Sequence, residues 1–171
     1  DSILQLNPGE ADFIALNSNR FLPEKNRPNN WKYLQSASGL KPLRLTFYGD
    51  SEDLKRNQLF YHPISDFNAY DGFTAGMRIY NTRLKNQPFE IDFHPQYSIK
   101  ENALVGFFRT RYRFMNHNSK NYQNQVFITG RSYHYNTNLR YTSLQPSFSM
   151  YFRPLDLRSN KRQFFNISWY N

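Results

Sequence analysis

Residues 89–98 read Phe-Glu-Ile-Asp-Phe-His-Pro-Gln-Tyr-Ser, with apolar and polar side chains in alternation. Phe89, Ile91 and Phe93 fall on one side of this pattern, while two carboxylates and a histidine fall on the other. Successive side chains of a β-strand point to opposite faces of a sheet, so the stretch predicts a strand with one apolar and one polar face. An α-helix, whose period is 3.6 residues, would not separate the two sets in this way.

The same alternation recurs from residue 41 to the end of the chain. In one stretch Phe148, Met150 and Phe152 alternate with serines and a tyrosine. The further candidates are residues 43–48, 73–80, 104–114, 126–135, 143–153 and 165–170, with residues 59–64 as a weaker one. The polar connections between them alternate between shorter and longer, as in antiparallel hairpins. We therefore predict an all-β, antiparallel fold of about seven or eight strands over residues 41–171.

The first 40 residues show no sustained period. They contain Pro8, Pro23 and Pro28 among many asparagines and serines. We interpret residues 1–40 as an irregular linker or loop segment, with one helical turn around Glu10–Leu16.

Composition excludes several classes of protein. The chain has 16 Phe, 13 Tyr and 2 Trp within a hydrophobic fraction of 39%, so aliphatic residues are too scarce for a helical bundle. There is no cysteine, hence no disulfide, thiolate zinc site or cysteine nucleophile. The net charge is +9, but the basic residues are spread along the chain, and we predict no nucleic-acid partner.

The strand pattern favours a membrane barrel over a soluble sandwich. The strands run to about 9–12 residues, which matches a tilted bilayer crossing and exceeds the usual soluble strand. A mean hydropathy of −0.82 does not exclude this, because only alternate residues of such strands face lipid. We predict a partial antiparallel transmembrane β-barrel whose lipid-facing set includes Phe89, Ile91, Phe93, Phe148, Met150 and Phe152.

The polar side of the strands carries unusual charge. Glu90 and Asp92 lie on one strand, and Arg109, Arg111 and Arg113 project together from the next. We predict that these five residues form a charge network in a solvated lumen. The arginines alone could instead attract anionic solutes or lipopolysaccharide phosphates.

Two catalytic interpretations of the same face are weaker. Glu90 and Asp92 could act as a general acid/base pair, but salt bridges to neighbouring arginines explain them more simply. His94 could share a metal with Asp92, although such pairs usually satisfy each other. We predict no catalytic or metal-binding residue and no cofactor.

Several segments between residues 17 and 81 resemble a known family. They are Asn-Arg-Phe-Leu-Pro-Glu (19–24), Asn-Arg-Pro-Asn-Asn-Trp (26–31), Pro-Leu-Arg-Leu-Thr-Phe (42–47), Leu-Lys-Arg-Asn-Gln-Leu-Phe (54–60) and Asn-Ala-Tyr-Asp-Gly-Phe-Thr-Ala-Gly (68–76). This region is similar to the part that follows the peptidase domain in gluzincin-type, aminopeptidase-like metallopeptidases of Bacteroidota. The Asn-x-Tyr-Asp-Gly pattern also resembles surface-antigen-like barrels of the same phylum.

The resemblance implies an outer-membrane barrel in a Gram-negative, Bacteroidota-like cell, acting as membrane anchor or scaffold of a larger cell-envelope protein. The family's zinc site is a His-Glu-x-x-His helix. The four histidines, His62, His94, His117 and His134, do not have that spacing, so no catalytic residue is carried over and any peptidase site lies upstream.

Seven strands do not close a barrel in the usual even-numbered way. We therefore expect further strands after Asn171, from the same precursor or from another chain, with outer-membrane lipid and lipopolysaccharide as the other partners. The alternative function is a soluble cationic β-domain that binds polyanion or glycan through aromatic platforms.

Overall fold

The computed structural model describes residues 12–17, 23, 30–34, 41–49, 53, 55–83, 87–116, 118–154, 156 and 158–171. The segment 19–24 apart from Pro23, most of 26–31, and His117 lie outside these described residues. Within them, no helix is both long and apolar enough to cross a membrane.

The described residues form ten β-strands. They are β1 (Phe13–Ala15), β2 (Trp31–Tyr33), β3 (Leu43–Phe47), β4 (Asn57–Asn68), β5 (Gly72–Tyr80), β6 (Phe89–Ser98), β7 (Ala103–Met115), β8 (Asn121–Asn136), β9 (Leu139–Phe152) and β10 (Gln163–Ser168). Strands β3 to β10 form one sheet in which each strand neighbours the next in the chain, and β3 and β10 are its edges. The predicted all-β, antiparallel class is confirmed, but no pairing among the described residues closes the sheet into a barrel.

Contrary to our prediction, the first 40 residues are not irregular throughout. Phe13–Ala15 is a strand and not a helical turn, and it pairs antiparallel with Trp31–Tyr33. The Phe13 ring lies 5.1 Å from the Trp31 ring and 5.8 Å from the Tyr33 ring. Cross-strand aromatic contacts of this kind stabilise a short ladder that has no periodic signal in the sequence.

The weak candidate at residues 59–64 belongs to a full strand, β4. Pro63 and the polar residues around it hide the alternation, because proline usually argues against a strand interior. The chain divides into two compact units, Asp1–Leu59 and Phe60–Asn171, and the boundary between them falls within β4. The sites described below lie in the second unit.

Strand register in the second unit sorts the side chains onto two faces. We call one the aromatic face, which carries Phe89, Ile91 and Phe93, and the other the polar face, which carries Glu90 and Asp92. Directly paired residues share a face, and the register gives an apolar row Tyr61, Ile79, Phe93, Phe108, Gly130 and Leu144 across β4 to β9. A parallel row on the polar face contains Asp92, Arg109, Thr129 and Gln145.

Burial is inverted relative to a soluble domain. On the polar face Asp92 is 3% exposed and Ser98 is fully buried, whereas on the aromatic face Phe73 is 51% and Leu104 67% exposed. Among the described side chains of the second unit, Phe60 is the only apolar one that is buried; the buried polar ones are Asp71, Thr74, Asp92, Ser98, His134, Ser143 and Ser149. A soluble β-sheet buries its apolar face instead.

The two ends of the sheet differ in their connections. At one end the strands are joined by the short turns 69–71, 99–102 and 137–138. At the other end the connections are the longer segments 81–88, 116–120 and 153–162. We call these the short-turn end and the long-connection end.

Candidate functional site

Charged side chains from three neighbouring strands meet on the polar face. We call this set the arginine network; it consists of Arg78 on β5, Glu90 and Asp92 on β6, and Arg109, Arg111 and Arg113 on β7. Register places Glu90 directly opposite Arg111 and Asp92 directly opposite Arg109. The structure therefore brings together all five residues that the sequence pointed to and adds Arg78.

Asp92 is the most enclosed member of the network. Its Oδ1 accepts from Nε of Arg78 (2.8 Å), and its Oδ2 accepts from Nη2 of Arg78 (2.9 Å) and Nη2 of Arg109 (3.1 Å). The Nε2 atom of His94 lies 2.7 Å from Oδ1. The Arg78 contact is bidentate, which is the strong geometry for a guanidinium and a carboxylate.

Glu90 lies two residues before Asp92 on the same face of β6 and is held in a similar way. Arg113 donates to its Oε1 from Nη1 (2.8 Å), and Arg111 donates to Oε2 (3.2 Å). Arg113 also donates to the carbonyl of Gln87 (2.9 Å), which ties the network to the chain entering β6. The Arg111 guanidinium in addition lies 5.0 Å from the centre of the Phe127 ring on β8.

These contacts favour a structural interpretation of the two carboxylates. Every oxygen of Glu90 and Asp92 faces a guanidinium, and the two acids are counterions for four arginines, which leaves the network with an excess of positive charge. No group of three or more potential metal ligands occurs among the described residues. The arrangement can attract anions but offers no activated nucleophile.

Neutralising Asp92 is expected to weaken the network. The Asp92→Asn variant leaves Arg78 and Arg109 facing each other without a shared counterion. Removing one partner of a buried pair costs about 3–5 kcal/mol, and we expect roughly 1–3 kcal/mol here because both guanidiniums are partly exposed to solvent. Urea titration under the conditions in which the full chain folds measures this change.

The matched control is Asp66→Asn, which changes an exposed carboxylate on β4 whose Oδ1 accepts a hydrogen bond from the backbone N–H of Phe67. It is expected to change stability by less than about 0.5 kcal/mol. Equal losses in the two variants would contradict the importance of the network.

A second polar cluster lies at the short-turn end. We call it the turn cluster, defined by Asn68, Asp71, Ser98 and His134. Asp71 Oδ1 lies 2.6 Å from Nδ1 of His134, and Asp71 Oδ2 accepts from the backbone N–H of His134 (2.9 Å). Asn68 Nδ2 donates to the carbonyl of His134 (3.0 Å), and Ser98 Oγ donates to the carbonyl of Asp71 (2.7 Å).

The turn cluster replaces backbone pairing that β8 lacks. The pairing of β7 with β8 starts at Gly106 and Ser132, so β8 continues toward His134 without a hydrogen-bonded partner in β7 among the described residues. Asp71 and Asn68 satisfy the N–H and C=O groups of His134 at that free edge. Buried backbone groups need such partners, which gives the Asn-x-Tyr-Asp-Gly segment a clear structural role.

The same contact requires the sheet to curl. Asp71 belongs to the turn that enters β5, and β6 and β7 separate β5 from β8. Neighbouring strands lie about 4.8 Å apart, so a flat sheet would place β5 and β8 roughly 14 Å from each other. A 2.6 Å contact between Asp71 and His134 is possible only if this end is strongly bent.

The turn cluster was missed by sequence reasoning. The Tyr70-Asp71-Gly72 segment belongs to the family-like pattern, and Gly72 takes a left-handed φ of 67°. Nothing in the pattern links Asp71 to a histidine 63 residues further along the chain. The only available signal was an acidic residue in a tight turn, which ordinarily indicates local turn chemistry.

The six residues predicted to face lipid all lie on the aromatic face. Phe89 (48%) and Phe93 (41%) are exposed, while the other four are half-buried: Ile91, Phe148, Met150 and Phe152. Register connects the two groups, because Phe89 pairs with Tyr112, Tyr112 with Val126, and Val126 with Phe148. They form one continuous apolar surface.

Comparisons with known proteins found no match to this chain among protein-family models, curated proteins or solved structures.

Proposed function

We propose that the chain is a membrane-spanning β-sheet, part of an outer-membrane β-barrel, which acts as the anchor or scaffold of a larger cell-envelope protein. The observation that carries the proposal is the inverted burial: charged and hydroxyl side chains line the enclosed face, and aromatic side chains cover the exposed one. In water this exposed apolar surface would be an aggregation hazard, whereas in a bilayer it is the surface that contacts lipid.

Strand lengths and connections support the same proposal. Strands β4 to β9 run from 9 to 16 residues, and a tilted bilayer crossing needs about 9–11. Short turns at one end and longer connections at the other are typical of outer-membrane barrels. The arginine network suits a water-filled interior, where ion pairs are solvated.

The count of strands removes one obstacle to closure. With β4 as a full strand, the described residues contribute eight strands to this sheet, and an even number is the usual one in bacterial barrels. Open edges exposed to hydrocarbon would leave backbone groups unpaired at several kcal/mol each. We propose that the edges β3 and β10 are covered in the membrane by further strands, from the same precursor or from another chain.

An outer-membrane location in a Bacteroidota-like bacterium, and a link to a zinc peptidase upstream, stay part of this proposal. They rest on the resemblance of the Asn68–Gly72 region and its neighbours. The chain itself contributes no catalytic group to the proposal, since its acidic side chains in the arginine network act as counterions.

An arginine on the aromatic face tests the proposal. Phe93 lies at the middle of β6 in the apolar row, and Phe93→Arg is expected to cost about 2–4 kcal/mol of stability if that row faces the middle of a bilayer. Phe93→Ala measures the part of the loss that comes from the missing ring. Urea unfolding of the full chain folded into phosphatidylcholine vesicles gives both values.

The matched control is Gln145→Arg at the same level of the polar face, expected to change stability by less than about 1 kcal/mol. The proposal fails if the chain folds cooperatively as a monomer in buffer without detergent or lipid and tolerates Phe93→Arg as well as Gln145→Arg. That outcome would favour a soluble cationic β-domain instead.

A further inference from the structure

Two of the long connections lie side by side at the long-connection end. They are residues 116–120, between β7 and β8, and residues 153–162, between β9 and β10. The backbone N–H of Arg153 donates to the carbonyl of Lys120 (2.8 Å), which joins them directly. We call their cationic side chains the basic rim: Lys120, Arg153, Arg158, Lys161 and Arg162.

The basic rim has almost no internal charge balance. All five side chains are exposed, and none forms an ion pair with another described residue. The single acidic residue in the two connections is Asp156, whose Oδ1 accepts from the backbone N–H of Arg158 (2.9 Å). Arg162 points its Nη1 at two neighbouring carbonyls, so its charge stays uncompensated.

The cationic side chains at the short-turn end, unlike most of the basic rim, form hydrogen bonds to neighbouring turns and strands. Lys100 donates from Nζ to the carbonyl of Ala69 (2.9 Å) and stands beside Glu101 in sequence. Arg140 donates to Ser132 Oγ and to the carbonyl of Leu104 (both 2.6 Å). These two cations hold turns and strands in place, whereas the basic rim at the opposite end concentrates cations that have no ion-pair partner among the described residues.

The basic rim adjoins the aromatic face. Phe114 near the end of β7 is 50% exposed, and Phe165 near the start of β10 is 48% exposed. Phe114 pairs with Asn124, Asn124 with Met150, and Met150 with Phe165, so these residues form the row of the aromatic face close to the rim. Toward the long-connection end, the apolar surface is followed by exposed aromatic rings and then by exposed cations. This order matches the hydrocarbon core, the interface and the lipid phosphates of a bilayer.

We propose that the basic rim binds the phosphate groups of anionic membrane lipids, and thereby sets which end of the sheet faces the anionic surface. This inference rests on the proposed membrane-spanning function and adds a partner chemistry to it. Each lysine or arginine near an anionic membrane surface changes binding roughly fivefold, so several together give a strong local enrichment of such lipids.

The absence of cysteine in the chain makes a direct test possible. Asn160→Cys places one fluorophore beside the basic rim, and Thr137→Cys places one in an exposed turn at the short-turn end. Each labelled full chain is folded into phosphatidylcholine vesicles that contain acceptor-labelled phosphatidylglycerol as a minor component. We expect energy transfer from position 160 to indicate several-fold enrichment of the anionic lipid relative to position 137.

The double variant Arg158→Gln/Lys161→Gln is expected to bring transfer at position 160 down to the value at position 137. Those two side chains make no hydrogen bond to another described side chain, so folding should be unaffected. The matched variant Lys100→Gln/Arg140→Gln also removes two charges and should leave transfer at position 160 unchanged. Acceptor-labelled phosphatidylcholine should give equal transfer from both positions, and free inorganic phosphate should not abolish the difference.

Outcomes separate the two proposals. Equal transfer from positions 160 and 137 in a chain that has inserted into the vesicles overturns the lipid-binding role and leaves the membrane-spanning function intact. A chain that inserts into neither kind of vesicle overturns both. Loss of the difference on addition of inorganic phosphate would show a simple anion site and would also overturn the commitment to lipid.

Discussion

Replacing Gly106 with alanine is expected to destabilise the protein by about 3–5 kcal/mol. Gly106 has a φ of 139°, a conformation that residues with a side chain rarely adopt. A Cβ atom at this position would lie 2.0 Å from the carbonyl oxygen of His94. The contact is with backbone, so only a movement of β6 against β7 could relieve it.

The reason for this close approach is Pro95. It lies within the central strand β6 and pairs with Gly106 on β7, while its own carbonyl oxygen would be 2.0 Å from a Cβ added at Gly76 on β5. A proline cannot donate to the ladder, and central strands tolerate one only where the neighbours adapt. Glycine on both sides provides that adaptation.

Gly130→Ala is the matched control because it makes the same chemical change on β8. Its Cβ would meet the Phe108 ring at 2.1 Å, and a ring can rotate where a backbone carbonyl cannot. We expect a loss of about 1 kcal/mol. Urea titration of both variants under the folding conditions of the full chain gives the comparison, and a Gly106→Ala loss no larger than that of Gly130→Ala would contradict the argument.

Much of the sheet was predictable because its strands obey a simple period. The alternation of residues 89–98 predicts both faces of β6. The register then places Arg109 opposite Asp92 and Arg111 opposite Glu90, in agreement with that alternation. The strand β4 was only weakly visible, since Pro63 interrupts its pattern. A sequence pattern shows only which residue type stands at each position. It does not show whether the neighbouring strands can accommodate a proline at that position.

The arginine network could be predicted from the sequence to a greater extent than the turn cluster. The network consists of residues on adjacent strands, so local alternation and one hairpin suffice to bring Glu90 near Arg111. Alternation also places Arg78 on the polar face, but its bidentate contact with Asp92 is diagonal between strands and depends on the exact register, which the sequence does not give. Asp71 and His134 meet only through the curl of the sheet, which no local pattern encodes.

Removing the Asp71 carboxylate is expected to cost about 3–5 kcal/mol, the second large effect in the sheet. Asp71 is 2% exposed and His134 6%, so neither water nor another described side chain replaces the lost contacts at once. The Asp71→Ala variant leaves the backbone N–H and Nδ1 of His134 without acceptors in a buried place. Unsatisfied buried donors account for most of the expected loss.

A double-mutant cycle isolates this contact from the rest of the turn. We expect Asp71→Ala and His134→Ala to be strongly non-additive, with a coupling free energy of about 1–3 kcal/mol. Asp66→Ala, an exposed carboxylate on the neighbouring β4, is the control and is expected to be nearly neutral. Hydrogen exchange should speed up at residues 134–136 in Asp71→Ala but not in the control.

Additive losses, or unchanged exchange at the end of β8, would contradict a clasp between the β4–β5 turn and β8. This test examines the bending of the sheet as well as one hydrogen bond, because the contact spans two intervening strands. If Asp71 and His134 are coupled, the short-turn end is held in a bent form by its own side chains. A bend toward the side of Ser98 would turn the polar face inward and the aromatic face outward, the arrangement that we propose for a lipid-facing sheet.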